Sequence, residues 1–270
     1  MTLPYNTYFE QPYKLKFALI FPFLCATMGK HQKGGDFMRI AGLQKCTLLD
    51  YPGKVACTVF LPGCNFRCPF CHNYELIANP ETLMEEAEFF SFLQKRKGLL
   101  QGVCVTGGEP TLQPELPAFL KKIRDLGYSV KLDTNGYRPE VLRTVLEQGL
   151  ADYVAMDLKN GRDAYAQTCG LESLDTEKIR QSVLLLQESG VAYELRTTLC
   201  HPLHNEKTVQ NMADWLCSFT KSKVKQLFLQ PFVDRDTVPF SGFSAPNREE
   251  LERYAAILST AAEQVHIRGL

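Results

Sequence analysis

Three cysteines, Cys64, Cys68 and Cys71, lie close together in the run GCNFRCPFCHN. Three thiolates can hold three irons of a [4Fe–4S] cluster and leave the fourth iron without a protein ligand. An open coordination position on a metal centre is typical of reactive sites, as it is for catalytic zinc. The spacing therefore predicts an iron–sulfur site that carries out chemistry rather than one that only stabilises the fold.

A zinc or disulfide site is the alternative for these cysteines. Structural zinc takes four ligands, commonly from two C-x2-C pairs, and the sequence offers one such pair, Cys68 and Cys71. Cys57 lies in the apolar run 55–61, where a period of two predicts a core thiol. His72 directly follows Cys71, which makes joint ligation of one tetrahedral ion awkward. We favour the cluster and keep zinc as the alternative.

Composition is that of an ordinary intracellular enzyme. The chain has 270 residues, 45% of them hydrophobic and 22% charged, and its 30 basic residues balance 30 acidic ones. We therefore expect a cytoplasmic protein that binds neither nucleic acid nor a membrane. Six further cysteines show no spacing typical of a cluster, so we expect them to be free or buried thiols: Cys25, Cys46, Cys104, Cys169, Cys200 and Cys217.

The N-terminal segment resembles a signal peptide only superficially. In residues 14–28 (KLKFALIFPFLCATM) a proline interrupts the apolar run, which is also too short to span a bilayer. Residues 33–36 (KGGD) can be encoded by AAAGGAGGTGAT, which contains a strong bacterial ribosome-binding sequence, and Met38 follows at a suitable spacing. We expect residues 1–37 to be a non-native upstream extension or a disordered segment, and residues 38–270 to form a single domain.

After Met38 the pattern alternates between strands and helices. Apolar, β-branched and aromatic runs predict strands at 55–61, 102–106, 128–134, 152–157, 192–199 and 225–230. Helical patterns lie near 82–93, where Thr82 begins a capping box, and near 115–126, 139–148, 175–189, 206–220 and 247–264. This alternation predicts parallel βα units. Six units are too few for a full barrel, so we expect an α/β fold, a partial (β/α)6 barrel of the TIM type that is open on one side.

Polar motifs follow the predicted strands where chemistry collects in such barrels, at the carboxyl ends. They are Thr106-Gly107-Gly108-Glu109-Pro110, Asp133-Thr134-Asn135-Gly136, Asp157-Leu158-Lys159, Arg196-Thr197-Thr198 and Gln230-Pro231-Phe232. Taken alone, the Gly-Gly-Glu-Pro and Asn-Gly segments are typical of turns, and the Asp-Leu-Lys segment is typical of a surface ion pair. Their shared position at strand ends favours a functional interpretation.

With these motifs in this order, the chain resembles radical S-adenosylmethionine (radical SAM) enzymes. Two further segments, residues 47–54 (TLLDYPGK) and Cys71-His72-Asn73, resemble the glycyl-radical-enzyme activating proteins. The match is to the anaerobic ribonucleoside-triphosphate reductase activating group, and pyruvate formate-lyase activating enzymes have a similar layout. The resemblance covers residues 38 to 232.

The resemblance implies roles for individual residues. It implies that Gly107, Gly108, Glu109 and Pro110 bind the methionine end of S-adenosylmethionine, and that Asp133, Asn135, Asp157, Lys159 and Arg196 also contact this cofactor. We expect Gln230 to contact the cofactor in place of a histidine that these relatives carry three residues later. It implies that Asp133, Thr134 and Asp157 are ligands of a monovalent cation, for which hard oxygen ligands are suited. The chain departs from these relatives at Val233, where they carry a histidine, and their glycine-rich adenine motif is not recognisable near 193–196.

The implied reaction is reductive cleavage of S-adenosylmethionine at the [4Fe–4S] cluster, with flavodoxin or ferredoxin as electron donor. The resulting radical would remove a hydrogen from a glycine of a partner, which we expect to be anaerobic ribonucleotide reductase. Two other classes stay open. One is a radical SAM enzyme that acts on a small molecule, as 7-carboxy-7-deazaguanine synthase does, and the other is a metal-binding interaction protein without turnover. The His72-Asn73 and DYPGK segments favour the activating enzyme.

Overall fold

The computed structural model describes residues 14–15, 37–78 and 84–269. Apart from 14–15 and 37, the predicted N-terminal extension lies outside the described residues, as do Thr82 and Cys25. In the part of the chain that the structure describes, no helix has both the length and the apolar surface that a bilayer span requires.

Within the described residues, eight strands form one sheet, in the order β10-β8-β7-β6-β5-β4-β3-β2. Their bounds are β2 Gly42–Thr47, β3 Ala56–Leu61, β4 Gly102–Gly107, β5 Ser129–Thr134, β6 Tyr153–Asp157, β7 Ala192–Leu199, β8 Val224–Pro231 and β10 Ala262–Ile267. A separate short ribbon pairs β1 (Lys14–Leu15) antiparallel with β9 (Phe240–Ser241). The strands from β3 to β8 are parallel neighbours, whereas β2 pairs antiparallel with β3.

The six predicted strands are confirmed, and they neighbour one another in chain order. The sheet is larger than the predicted six strands, because β2 and β10 extend it at its two edges. The prediction of a helix over 247–264 was wrong at its C-terminal end, because the helix in the structure ends at Leu258 and β10 follows. Strand β10 runs parallel to β8 and satisfies hydrogen-bonding groups that β8 would otherwise leave unpaired at the edge.

The helices connect the strands and cover one face of the sheet. Their bounds are α1 Glu75–Ala78, α2 Glu86–Lys95, α3 Leu116–Asp125, α4 Pro139–Glu147, α5 Tyr165–Thr168, α6 Thr176–Ser189, α7 Glu206–Phe219 and α8 Arg248–Leu258. Helix α2 begins at Glu86, later than the predicted start near Thr82, because Met84 instead forms a β-bridge with Ile40. Asn205 and Asn247 begin α7 and α8 with side-chain capping boxes.

The two faces of the central strands differ in character. In β5, Val130 and Leu132 are fully buried among apolar side chains of the core. Lys131 and Asp133 alternate with them and therefore lie on the other face, inside the curve of the sheet. The face of the sheet inside the partial barrel is thus charged, whereas the face that the helices cover is apolar. The charged face extends to the carboxyl ends of the strands.

Candidate active site

A cavity of about 460 Å³ lies at the carboxyl ends of the parallel strands. All the site residues predicted from the sequence line it except Pro110, which is buried at the start of a short 3-10 turn. Its volume is within the range of cofactor and substrate pockets, about 300 to 1,000 Å³. The fold therefore brings motifs from six separate strand ends to one place.

The cysteine loop, residues 62–74, connects β3 to α1 and contributes three thiols to the cavity. The backbone N–H of Cys71 donates to the carbonyl oxygen of Cys68 at 3.1 Å, which forms a turn between these two cysteines. The N–H of Phe66 donates to Cys64 Sγ at 3.3 Å. These bonds hold the loop with its sulfur atoms facing the cavity.

The thiols of the loop differ in acidity. Burial raises the pKa of Cys64 to about 12 and that of Cys71 to about 11. A hydrogen bond from the Cys169 thiol lowers the pKa of Cys68 below its usual value, although burial opposes this. Thiols must lose their protons to become metal ligands, so binding of iron at this loop will release protons.

The donor set fits an iron–sulfur cluster better than a single metal ion. Among residues 14–15, 37–78 and 84–269, no three Cys, His, Asp or Glu side chains converge closely enough to hold one ion. Zinc bonds sulfur at about 2.3 Å and so draws its thiolates together, whereas the thiolates of a cluster sit on separate irons. Next to Cys64, Asn65 Nδ2 is buried with no hydrogen-bond partner among the described residues. A group bound at the loop would give this nitrogen an acceptor.

Gly107 and Gly108 pack directly against the start of the cysteine loop. A Cβ atom at Gly108 would lie 1.9 Å from the carbonyl oxygen of Gly63, and one at Gly107 would lie 2.3 Å from the backbone of Leu61. The N–H of Gly108 donates to Leu61 O at 2.9 Å, and that of Glu109 donates to Gly63 O at 2.8 Å. Only glycine allows this close approach, so the motif positions the cysteine loop as well as lining the cavity.

The Glu109 carboxylate ties the end of β4 to the end of β5. It accepts hydrogen bonds from the Thr134 hydroxyl at 2.7 Å, from the Asn135 N–H at 2.6 Å and from the Thr111 hydroxyl at 2.5 Å. Burial raises the pKa of Glu109, while these hydrogen bonds favour its ionised form. The side chain of Glu109 is therefore a structural anchor between two strand ends.

Asn135 connects the end of β5 to the cysteine loop. Its Nδ2 donates to Asn65 Oδ1 at 2.8 Å and lies 3.9 Å from Cys64 Sγ. The resemblance implied a cofactor contact for Asn135, and the structure places its side chain beside a cysteine sulfur. Asn135 is thus positioned to orient Cys64 and Asn65.

Lys131, Asp133, Asp157, Lys159 and Arg196 form a network of ion pairs, hereafter the charged cluster. Arg196 lies between the two carboxylates, with Nη1 3.1 Å from Asp133 Oδ2 and Nε 3.0 Å from Asp157 Oδ1. Lys159 Nζ donates to Asp157 Oδ2 at 2.9 Å, and Lys131 Nζ donates to Asp133 Oδ1. Register explains part of this arrangement, because Asp157 and Arg196 are directly paired on neighbouring strands.

The charged cluster keeps its carboxylates ionised. Burial alone would raise the pKa of Asp157, but Lys159 and Arg196 lower it to about 2. Burial likewise opposes ionisation of Asp133, and Arg196 and Lys131 outweigh it and hold the pKa below its usual value. Burial opposes the charge on Lys159 and on Arg196, but Asp157 raises the pKa of Lys159, and Asp133 and Asp157 together raise the pKa of Arg196.

The His72 side chain contacts the residues at and after the end of β8 and not the cysteines. Its ring stacks on Phe232, with ring centroids 5.6 Å apart and planes 7° apart, and its Nε2 lies 2.6 Å from the carbonyl oxygen of Val233. This contact joins the cysteine loop to the chain that follows β8. Val233, at the position where the relatives named above carry a histidine, thus contributes a backbone carbonyl to the site.

Several residues of the cavity were not predicted from the sequence. The lining also includes Gln44, Asp50, Thr58, Phe60 and Arg235. The Thr58 hydroxyl donates to Asp50 Oδ2 at 2.5 Å, which joins the loop after β2 to β3. Gln44 lies on β2 and Asp50 follows it, and the sequence pattern did not predict this strand. Thr58 and Phe60 lie on the predicted strand β3, on the face opposite to Cys57 and Val59.

Comparisons with known proteins agree with this geometry. The family model of the radical SAM superfamily matches residues 58–216. A Methanocaldococcus jannaschii protein named as a glycyl-radical enzyme activating enzyme is 28% identical over 236 residues, which cover 86% of this chain and 96% of that protein. The 7-carboxy-7-deazaguanine synthase of Thermococcus kodakarensis is 31% identical over 165 residues, covering 60% of each chain.

A solved structure supports the fold alone. The structure of TYW1 with a lysine-pyruvate adduct bound has a TM-score of 0.53 and 18% sequence identity, and the alignment covers 77% of this chain and 74% of that one.

The family model, which extends over more than half of the chain, contains the cysteine loop and four of the five other predicted motifs. The chain is therefore a member of the radical SAM superfamily, whose enzymes use a [4Fe–4S] cluster and S-adenosylmethionine.

Proposed function

We propose that this protein is an activating enzyme that generates a glycyl radical on a partner enzyme. The observation that carries the proposal is that three cysteines and the charged cluster line one and the same cavity. The match to an activating enzyme over 96% of that relative's length supports the same function. The match to the deazaguanine synthase covers only 60% of that protein.

The cysteine loop holds the iron–sulfur cluster, and the charged cluster faces the methionine end of S-adenosylmethionine. A bound cluster, once reduced by flavodoxin or ferredoxin, would supply the one electron that cleaves S-adenosylmethionine to methionine, and removal of a hydrogen atom from a glycine Cα of the partner would then give 5′-deoxyadenosine and a glycyl radical. Lys159 has three N–H donors and Arg196 has five. Their bonds to Asp133 and Asp157 leave some of these donors for a carboxylate of the cofactor.

The partner is a polypeptide that reaches the cavity from the side of β2. Asp50 and Thr58 line the cavity there, and the preceding residues Leu48 and Leu49 are 71% and 89% exposed. Exposed apolar side chains beside a reactive cavity suit a protein surface as partner. We propose anaerobic ribonucleoside-triphosphate reductase as that partner, with flavodoxin or ferredoxin as the electron donor in the cytoplasm.

An anaerobic electron paramagnetic resonance experiment tests this function. The reconstituted, reduced protein is mixed with S-adenosylmethionine and with the anaerobic ribonucleotide reductase of the same organism. We expect the doublet of a glycyl radical on the reductase, together with 5′-deoxyadenosine. Cys217→Ser is the matched control, because Cys217 is an exposed thiol on α7 and should leave the signal unchanged.

The outcomes separate the partner from the chemistry. If 5′-deoxyadenosine accumulates without a glycyl radical, the reductase is not the partner, and a different glycyl radical enzyme or a small molecule takes its place. The relationship to 7-carboxy-7-deazaguanine synthase makes a small molecule the second candidate. If neither product forms while one tightly bound zinc is found per chain, the protein is a metal-binding interaction protein.

A further inference from the structure

We propose that Lys131 and Arg196 take the place of a monovalent metal ion at the ends of β5 and β6. The resemblance to activating enzymes implied a monovalent cation held by Asp133, Thr134 and Asp157. The side chains of this protein do not fit that ion, because its own cations already fill the positions around both carboxylates. The inference rests on binding of S-adenosylmethionine by this family and is independent of the identity of the partner enzyme.

Each oxygen of the two carboxylates accepts a hydrogen bond from a protein cation. Asp133 Oδ1 accepts from Lys131 Nζ, and Asp133 Oδ2 accepts from Arg196 Nη1 at 3.1 Å. Asp157 Oδ1 accepts from Arg196 Nε at 3.0 Å, and Asp157 Oδ2 accepts from Lys159 Nζ at 2.9 Å. A hard cation needs several oxygen ligands at once. Here it would have to displace charge-assisted hydrogen bonds to obtain them.

Thr134, the third implied ligand, is also engaged elsewhere. Its hydroxyl donates to Glu109 Oε1 at 2.7 Å and accepts from the N–H of Gly136 at 3.1 Å. Thr134 lines the same cavity as Asp133, but its hydroxyl bonds to Glu109 at the end of β4 and not to the carboxylates of the charged cluster. The hydroxyl therefore belongs to the Glu109 anchor and not to a ligand shell around the carboxylates.

The charge of the site also argues against a further cation. Two carboxylates face three basic side chains in the charged cluster, and all three are largely buried, with Lys131 2% exposed and Lys159 and Arg196 each 15% exposed. Glu194, the carboxylate below them, is paired with Arg268 at 2.8 Å and with the Tyr153 hydroxyl at 2.7 Å. A metal ion would add a fourth positive charge in a region of low dielectric constant, where unpaired charge is costly.

Lys131 acts as a positioning residue. It is 2% exposed, lies two residues before Asp133 on the inner face of β5, and has Cys104 Sγ as its other polar contact at 3.8 Å. Because Lys131 donates to Asp133 Oδ1, the other oxygen, Oδ2, is left to accept from Arg196. This bond fixes the position of the Arg196 guanidinium. Loss of the ammonium would leave a buried carboxylate oxygen without its donor, and a small cation could then bind there.

Affinity for S-adenosylmethionine in different salts tests this assignment. Calorimetric titrations of the anaerobically reconstituted protein are compared in choline chloride, sodium chloride and potassium chloride at equal ionic strength. The native protein should bind the cofactor equally well in all three salts. Lys131→Met should bind about tenfold more weakly in choline chloride, a change of about 1.4 kcal/mol, and should recover most of its affinity in sodium or potassium.

Two further variants control for folding and for loss of charge. Lys121→Met removes an exposed lysine that pairs with Asp125 at 2.7 Å outside the cavity, so its affinity should match the native protein in every salt. Lys131→Arg keeps a positive charge on β5 and should stay independent of the salt. Thermal unfolding of each apoprotein, with and without potassium, reports whether the cation itself binds.

Three results would overturn the proposal. The first concerns the native protein alone: its affinity for S-adenosylmethionine would be at least about fivefold lower in choline chloride than in sodium or potassium chloride. The second is Lys131→Met with native affinity in choline chloride. The third is Lys131→Met with a reduced affinity that neither metal ion restores, since Lys131 would then support the fold without standing in for a cation.

Discussion

The two walls of the cavity are built in different ways. The cysteine loop presents thiols whose pKa burial raises at Cys64 and Cys71, and beside them Asn65 Nδ2 is buried with no partner among the described residues. In the charged cluster, by contrast, every carboxylate oxygen accepts a hydrogen bond from a lysine or from Arg196. The cysteine loop thus has polar groups that only a bound group would engage, whereas the carboxylates of the charged cluster are satisfied by basic side chains of the protein.

The cysteine loop and the charged cluster should therefore respond differently to substitution. Removing a cysteine deletes a metal ligand but few interactions within the protein, so activity should fall while the apoprotein stays folded. Removing a member of the charged cluster leaves buried charge without a partner, so stability should fall as well. Comparing activity with apoprotein stability therefore distinguishes the two walls.

The largest expected effect is that of Cys68→Ala. Without this ligand the iron–sulfur cluster should not assemble, and formation of 5′-deoxyadenosine should fall to background. The free energy of unfolding of the apoprotein should change by about 1 kcal/mol, a typical value for one substitution. Iron content, product formation and urea unfolding measure these quantities, with Cys46→Ala as the control because Cys46 is exposed. Full iron content together with native turnover would refute the assignment.

The next effect is that of Arg196→Met in the charged cluster. The guanidinium bridges Asp133 and Asp157, so its loss should lower the free energy of unfolding by about 3 to 5 kcal/mol. Arg196→Lys keeps one positive charge but cannot bridge both carboxylates, and should lie between the native protein and Arg196→Met. Urea unfolding of the apoproteins at neutral pH measures this. A fully stable Arg196→Met would show that the charged cluster does not hold the strand ends together.

The difference in free energy of unfolding between the native protein and Arg196→Met should depend on pH. The pKa of Asp157 is about 2 in the folded protein, and the pKa of Asp133 is also below its usual value. Ionised carboxylates of this kind stabilise the fold above a pH of about 4, and this contribution is lost as the pH falls toward 2. The gap between the native protein and Arg196→Met should therefore narrow on acidification. A gap that stayed constant from neutral pH down to acid would rule out the ion pairs as its cause.

The smallest expected effect is that of Glu109→Gln, at the boundary between the two walls. The amide keeps one acceptor oxygen but replaces the other by a donor that faces the Asn135 N–H. Leaving that buried N–H without an acceptor should cost about 1 to 3 kcal/mol. Glu147→Gln is the control, since Glu147 is exposed and its nearest basic partner, Arg143, is 4.0 Å away. Equal stability of both variants would mean that Glu109 does not anchor the strand ends.

Much of the fold could be predicted because apolar and β-branched residues recur along the buried parallel strands and fully occupy the face that the helices cover. Strand β10 could not, because its sequence AEQVHI carries polar side chains at an exposed edge and continues the pattern of α8. The predicted site residues do converge, since parallel strands end at the same edge. Their pairings could not be predicted, because the bond from Thr134 to Glu109 depends on side-chain conformation and strand register. Lys131 could have been found, since a period of two places it with Asp133.

The most direct test of the proposed function follows the transferred hydrogen atom. The partner reductase is prepared with glycine deuterated at Cα and is incubated anaerobically with the reduced protein and S-adenosylmethionine. The 5′-deoxyadenosine is then examined by mass spectrometry. Transfer of deuterium from the protein into 5′-deoxyadenosine, with a glycyl radical left behind, is the predicted result. Unlabelled 5′-deoxyadenosine formed in the presence of the labelled partner would contradict abstraction from its glycine.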